Sequence, residues 1–105
     1  MWLKKLIVEP FIEEKLWEKH QVTREEIEDC LRNRRSIRLR HKKNPVRVVI
    51  LGVTQRARLL KVILEFQGRG QYFLVTAMNM EPEERRRYGK KGKGAASIRL
   101  VGGGR

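Results

Sequence analysis

Cysteine is nearly absent from this 105-residue chain: Cys30 stands alone. No intrachain disulfide can close, so a disulfide-stapled secreted scaffold is excluded. Long apolar runs are absent too, and nothing approaches the ~20 apolar residues that a membrane-spanning helix needs. The stretch from Met1 to Val8 is interrupted by Lys4 and Lys5 and followed at once by Glu9, Glu13 and Glu14, a poor signal peptide. The expectation is a cytoplasmic protein without membrane association. Metal-ligand spacing is also missing among His20, His41 and Cys30. Gly89 to Gly94 imitates the start of a phosphate-binding loop, but Ala95 and Ala96 stand where Lys and Ser/Thr are required. No cofactor, metal or nucleotide is expected.

The most informative scarcity is acid. The chain carries 25 Lys plus Arg against 12 Asp plus Glu, a formal charge of +13. Eight of the acids lie early, at Glu9, Glu13, Glu14, Glu18, Glu25, Glu26, Glu28 and Asp29. From Cys30 to Leu64 there is none, yet that stretch holds eleven bases: Arg32, Arg34, Arg35, Arg38, Arg40, Lys42, Lys43, Arg47, Arg56, Arg58 and Lys61. After Glu84 the charges are again all basic. Such a surface attracts polyanions: nucleic acid, an acidic protein or an anionic membrane. Because the acids are segregated and arginine, whose fork holds phosphate with two parallel bonds, predominates, phosphate binding is favoured over a merely solvated face. The candidate phosphate-binding residues are Arg34, Arg35, Arg38, Arg40, Lys43, Arg47, Arg56 and Lys61.

The local patterns predict one α+β domain over residues 1–88. Trp2–Val8 reads as an edge strand. Pro10 suits a first helical position before an amphipathic helix over Phe11–Lys19 with Ile12 and Leu16 on one face. Thr23-Arg24-Glu25-Glu26 fits a capping box, with Val22 and Ile27 placed as a hydrophobic staple, so a second helix is expected from Arg24 to Arg32 that buries Ile27, Cys30 and Leu31. Ser36 to Ala77 reads as strands: Ile37 and Leu39 alternate with Arg38 and Arg40, then come Val46–Val53, Leu59–Phe66 and Gln71–Ala77, joined by short turns as an antiparallel meander. Leu60, Val62, Leu64 and Phe66 alternate onto one face. Glu81-Pro82-Glu83-Glu84 opens a third helix to about Tyr88, which reads as core packing. Residues 89–105 read as a basic, glycine-rich tail without regular structure.

Lys19-His20-Gln21-Val22-Thr23-Arg24-Glu25-Glu26, then Leu51-Gly52-Val53-Thr54 with Ala57-Arg58-Leu59-Leu60-Lys61-Val62, then Thr76-Ala77, Met80, Glu84-Arg85 and Tyr88, together resemble the BrnT-type toxins of bacterial toxin–antitoxin pairs, a RelE-like ribonuclease group. The resemblance spans Trp2 to Tyr88. It implies a helical hairpin and a C-terminal helix packed on an antiparallel sheet. It also implies a metal-independent endoribonuclease that uses the RNA's own 2′-hydroxyl, acting on RNA that includes ribosome-associated message. A small DNA-binding antitoxin of BrnA type would be its partner in a heterotetramer. The catalytic candidates it brings are Arg58, Glu84, Arg85 and His20. Arg58 is weighed as a phosphate contact ahead of a structural ion pair. His20, at a helix end, reads as a cap on terminal carbonyls ahead of a general base. Glu84 and Arg85 read equally as a surface pair or as site residues. The chain departs from the pattern at Ala57, where the family has glycine, and at Met78, where it has arginine. Two other readings stand beside the nuclease. One is a noncatalytic RNA- or DNA-binding module on the same fold, which Met78 favours. The other is a basic protein whose main role is to bind an acidic antitoxin.

Overall fold

The computed structural model describes residues 2–91 and 99–100. Two short strands, β1 (Trp2–Leu3) and β2 (Lys5–Ile7), lead into helices α1 (Pro10–His20) and α2 (Arg24–Arg32). Four longer strands follow: β3 (Ile37–Arg40), β4 (Arg47–Val53), β5 (Leu59–Gly68) and β6 (Gln71–Asn79). Helix α3 (Pro82–Lys91) and strand β7 (Arg99–Leu100) complete the order. The main sheet runs β2-β6-β5-β4-β3, antiparallel throughout except for the parallel β2–β6 edge, and β1 pairs with β7 in a parallel two-stranded sheet. The α+β architecture and the meander expected from the sequence are thus present.

Strand alternation gives the sheet two apolar faces. Val48, Ile50, Leu60, Val62, Leu64, Leu74 and Ala77 form a buried core with Leu16, Val22, Ile27, Cys30 and Leu31, the apolar sides of α1 and α2. On the opposite face, Ile37 and Leu51 pack with Met80 and with Tyr88 of α3, flanked by Leu39, Val49, Val53 and Leu59. Helix α2 approaches β4 closely because Gly52 has no side chain: a Cβ there would lie 2.9 Å from Ser36 Oγ and 3.1 Å from the Cys30 carbonyl oxygen.

The helix starts are written locally. Thr23 Oγ1 accepts from the Glu26 N–H at 3.2 Å, and Glu26 Oε1 accepts from the Thr23 N–H at 3.0 Å, the reciprocal capping box. Pro10 is the first residue of α1, where a missing N–H has no consequence. At α3 the Glu84 carboxylate accepts from the Glu81 N–H at 2.9 Å.

Three expectations change. The edge strand breaks at Lys4, whose N–H turns aside to the Gly70 carbonyl at 2.7 Å. Phe66 keeps the core face, opposite Tyr72, but not its burial: near the end of β5 it is 46% exposed, with its ring tilted against that of Tyr72. Helix α3 continues through Gly89, Lys90 and Lys91, and Arg99–Leu100 form a strand, so the tail contributes regular structure at both places. The rest of the tail expectation, residues 92–98 and 101–105, lies outside the described residues. Ala57 sits at φ 68°, in the left-handed region, at the β4–β5 turn. The family's glycine at this position therefore has a conformational reason, and alanine carries the strain.

Two stability effects follow. Thr23→Ala should lower unfolding free energy by about 1 kcal/mol through loss of the cap; a urea melt that shows no loss would mean the box does not operate in solution. Ala57→Gly should raise it by about 0.5–1 kcal/mol, because relief of roughly 1–2 kcal/mol of left-handed strain exceeds the added freedom of the unfolded chain. A destabilised Ala57→Gly protein would contradict the left-handed assignment.

Candidate nucleic-acid interface

The candidate residues fall into four places rather than one. The first is the β3–β4 hairpin. Arg38 and Arg40 alternate with the apolar Ile37 and Leu39, and paired with Ile50 and Val48 they lie on the α1–α2 face. With His41, Lys42, Lys43, Asn44, Pro45, Arg47 and Val48 they line an open cleft of about 590 Å³. No carboxylate lines it. Arg47 Nε reaches Glu65 at 3.0 Å from a side chain 35% exposed, so this arginine is in part neutralised. Among the described residues Arg40, Lys42 and Lys43 have no acidic partner, and all three are exposed.

The second place is the opposite sheet face beside α3. Lys61 Nζ lies 2.8 Å from Glu84 Oε2, with both side chains largely shielded at 18% and 25% exposure. Met78 is the cross-strand partner of Lys61, so the position where the resemblance expects arginine adjoins this ion pair. Arg85, next on the helix, donates from Nη1 to the Met80 carbonyl at 3.1 Å.

The third place is the junction of both helices with the sheet, and it holds Arg58. Its Nε donates to Asn79 Oδ1 at 2.9 Å. Its Nη1 donates to the Gln21 carbonyl at 2.8 Å and to Glu26 Oε1 at 3.0 Å, and its Nη2 to the His20 carbonyl at 2.9 Å. The guanidinium is therefore a brace. It closes the C-terminus of α1, anchors the capping carboxylate of α2 and ties both to the ends of β5 and β6. The preference for Arg58 as a phosphate contact gives way to the structural ion pair weighed against it, because protein acceptors engage all three of its nitrogens. Capping of α1, expected from the His20 side chain, is carried by Arg58 and by Gln21. Gln21 has a left-handed backbone, and its Nε2 donates to the Trp17 and Glu18 carbonyls at 3.2 and 3.1 Å. His20 enters this junction through its backbone oxygen. His20 and Arg58 thus belong to one side of the sheet and Glu84 and Arg85 to the other, so the four catalytic candidates do not converge.

The remaining basic candidates are peripheral. Arg34 and Arg35 are exposed in the turn after α2, which Asn33 Oδ1 closes by accepting from the Arg35 N–H at 2.8 Å. Arg56, in the β4–β5 turn, lines a cleft of about 410 Å³ with Trp17, Glu25, Glu26 and Asp29, a mixed-charge setting that disfavours phosphate.

Three ionisable groups are displaced from their ordinary values, one of them the Tyr88 phenol, which burial raises. Burial alone would raise the Glu26 carboxyl. The Thr23 backbone bond, together with the hydrogen bond and charge of Arg58, outweighs it, and the net shift is below the ordinary 4.5. Burial, with the charges of Asp29 and Glu26, pushes the Cys30 thiol up to about 12, which removes it as a nucleophile at neutral pH. Among the described residues, no three His, Cys, Asp or Glu side chains are grouped as a metal site requires, and no helix is long and apolar enough to cross a membrane.

No protein-family model matches the sequence, and no curated protein does. Among solved structures, the chain is similar to the Brucella abortus ribonuclease toxin BrnT. The match has a TM-score of 0.60 at 15% identity and covers 74% of this chain and 97% of that one. The two share the fold, three helices on a five-stranded, mostly antiparallel sheet, which is the fold that the ordered motifs in the sequence implied.

The brace yields a testable pair of effects. Arg58→Ala should cost about 2–3 kcal/mol at neutral pH, because a shielded carboxylate and helix-terminal carbonyls lose a charged donor. RNA affinity of the folded protein should change little. The sign with pH is fixed by Glu26. Its folded value lies below its unfolded one, so its contribution is full above the ordinary value of 4.5 and is lost as pH falls through the depressed value. The stability gap between wild type and Arg58→Ala should therefore narrow in acid. A gap independent of pH, or a large loss of RNA affinity without loss of stability, would return Arg58 to the phosphate-binding surface.

Proposed function

We propose that this protein is an RNA-directed toxin of the BrnT kind: a metal-independent endoribonuclease of the cytoplasm, neutralised by a small DNA-binding antitoxin of BrnA type in a heterotetramer. The observation that carries the reading is the Lys61–Glu84 pair on the half-open sheet face of a ribonuclease-toxin fold. A carboxylate and an ammonium in contact are what this chemistry asks for. The Glu84 carboxylate takes the proton of the RNA 2′-hydroxyl, the 2′-oxygen attacks phosphorus, and the P–O5′ bond breaks as the 5′-oxygen takes a proton from solvent water, leaving a 2′,3′-cyclic phosphate and a 5′-hydroxyl. The Lys61 ammonium, with Arg85 near it, offsets the charge that builds on the phosphorane-like transition state. The resting contact between Lys61 and Glu84 also has a use. An incoming phosphate competes for the lysine and releases the carboxylate to act as base.

The second reading is a noncatalytic nucleic-acid-binding module, with RNA or DNA as ligand. Two observations favour it: Met78 supplies no charge beside Lys61, and Arg58 is engaged by the protein's own acceptors. A third role, binding an acidic antitoxin with nucleic acid incidental, would leave RNA affinity weak.

The purified protein should cleave RNA in EDTA and yield 2′,3′-cyclic ends. Glu84→Gln should slow cleavage about a hundredfold, in the range typical of losing a general base, while RNA affinity stays the same. If the wild type cleaves nothing with or without ribosomes yet binds RNA, the binding module replaces the nuclease.

A further inference from the structure

The segment from His41 to Arg47 is tied to itself. His41 Nδ1 accepts from the backbone N–H groups of Lys43 and Asn44 at 3.2 and 3.1 Å. Asn44 Oδ1 accepts from the Val46 N–H at 3.1 Å, and the Asn44 carbonyl accepts from the Arg47 N–H at 3.1 Å. A merely solvated charge run needs no such ties. Here they hold Lys42 and Lys43 in a fixed turn between the strand ends that carry Arg40 and Arg47. Nδ1 is the acceptor, so the neutral ring carries its proton on Nε2, and His41 lines the cleft with the five cations.

We propose that the β3–β4 hairpin cleft is a preorganised site for successive phosphates of single-stranded RNA, with His41 as the positioning residue that sets its loop. The proposal rests on the RNA-directed reading and deepens it, because the cleft is separate from the Lys61–Glu84 pair. Lys61 is opposite Leu51, whereas the cleft opens at Arg47, four residues back along β4 and about 13 Å away at the strand rise. Three features choose the ligand. Arg38 and Arg40, two apart on one strand face, are separated by roughly 6.6 Å, on the order of one phosphate step along an RNA chain. At about 590 Å³ the cleft has the size of an ordinary ligand pocket, room for a short piece of single strand. The apolar lining is limited to Pro45 and Val48, and Val48 is only 8% exposed. The polar groups that line the cleft are otherwise cationic or are the His41 ring and the Asn44 amide, with no carboxylate among them.

The test reads binding apart from cleavage by using a short labelled 2′-O-methyl oligoribonucleotide, which lacks the attacking hydroxyl. Affinity is measured by fluorescence anisotropy across a salt series. The double variant Arg40→Ala/Lys43→Ala should bind about tenfold more weakly, and its log–log salt slope should fall by about 1.4, two phosphates at ~0.7 each for a single strand. The control Arg86→Ala/Arg87→Ala removes the same charge from exposed positions of α3 and should change little. His41→Ala removes no positive charge that the neutral ring carries, yet it should weaken binding several-fold. His41→Asn, whose amide oxygen can accept the same backbone bonds, should restore it. Equal losses in the two double variants, or no effect of His41→Ala, would overturn the cleft while leaving RNA binding intact. Polyglutamate displacing the oligonucleotide as well as RNA does would make the cleft an acidic-peptide site and overturn the proposal. A wild type that binds no RNA would remove the RNA-directed reading along with it.

Discussion

The Arg58 guanidinium is the point at which four elements meet. Helices α1 and α2 are joined by only three residues, and Arg58 closes the carbonyl end of the first while holding the capping carboxylate of the second. Asn79, at the end of β6, is its fourth partner. The hairpin's seat on the sheet thus depends on one side chain whose partners are mostly carbonyls and a shielded carboxylate. Glu26 in turn serves two masters: it accepts from the Thr23 N–H and from Arg58, so the cap of α2 and the brace reinforce each other. The part-buried members of this set, Arg58 with Glu26 and with the His20 carbonyl, are worth more than a surface ion pair.

That arrangement explains part of the charge pattern. The early acids serve the helices: Glu26 caps, and Glu28 pairs along α2 with Arg24 at 3.2 Å. The acid-free stretch belongs to the sheet, where alternation places every second residue toward water or a neighbouring strand. Of its candidate bases, Arg58, Arg47 and Lys61 each have a carboxylate partner drawn from outside the stretch. Of the rest, Arg40, Lys42 and Lys43 stand together at the hairpin that closes β3 onto β4, while Arg34, Arg35 and Arg56 lie in the turns at the other end of these strands.

How much of this could be read in advance follows from the range of the interactions. The capping box, the proline start of α1 and the alternation of β3 to β6 are set within a few residues, and all are visible in the sequence. The exposure of Phe66 was not, because alternation marks the face it shares with Leu64 and Tyr72 but not how completely that face is covered near the end of β5. The role of Arg58 was hidden for a related reason. Its partners lie 21 to 38 positions away, and two of them are backbone carbonyls that no residue type announces. Resemblance places an arginine in a motif, but whether its guanidinium faces substrate or the protein's own acceptors depends on where α1 ends. The self-tied loop at His41 has only a weak signal in the sequence, Asn44-Pro45 three residues after the histidine and amid cations.

The departures at Ala57 and Met78 have different physical meanings, and the difference bears on what the fold does here. Alanine at φ 68° is a cost to stability that does not touch chemistry, because the turn still delivers Arg58 to its partners. Methionine beside Lys61 takes a charge away from the place where the transition state would gather it. On the nuclease reading, Lys61 and Arg85 must then carry the phosphate alone, and Lys61 begins paired to Glu84. Substrate has to displace that contact before the carboxylate can act. A phosphate held only there would compete poorly with a carboxylate at 2.8 Å. A strand also gripped at the hairpin cleft is presented to Lys61 at high effective concentration, so the exchange becomes intramolecular. The cationic hairpin would in this way compensate on one face of the sheet for the arginine missing from the other.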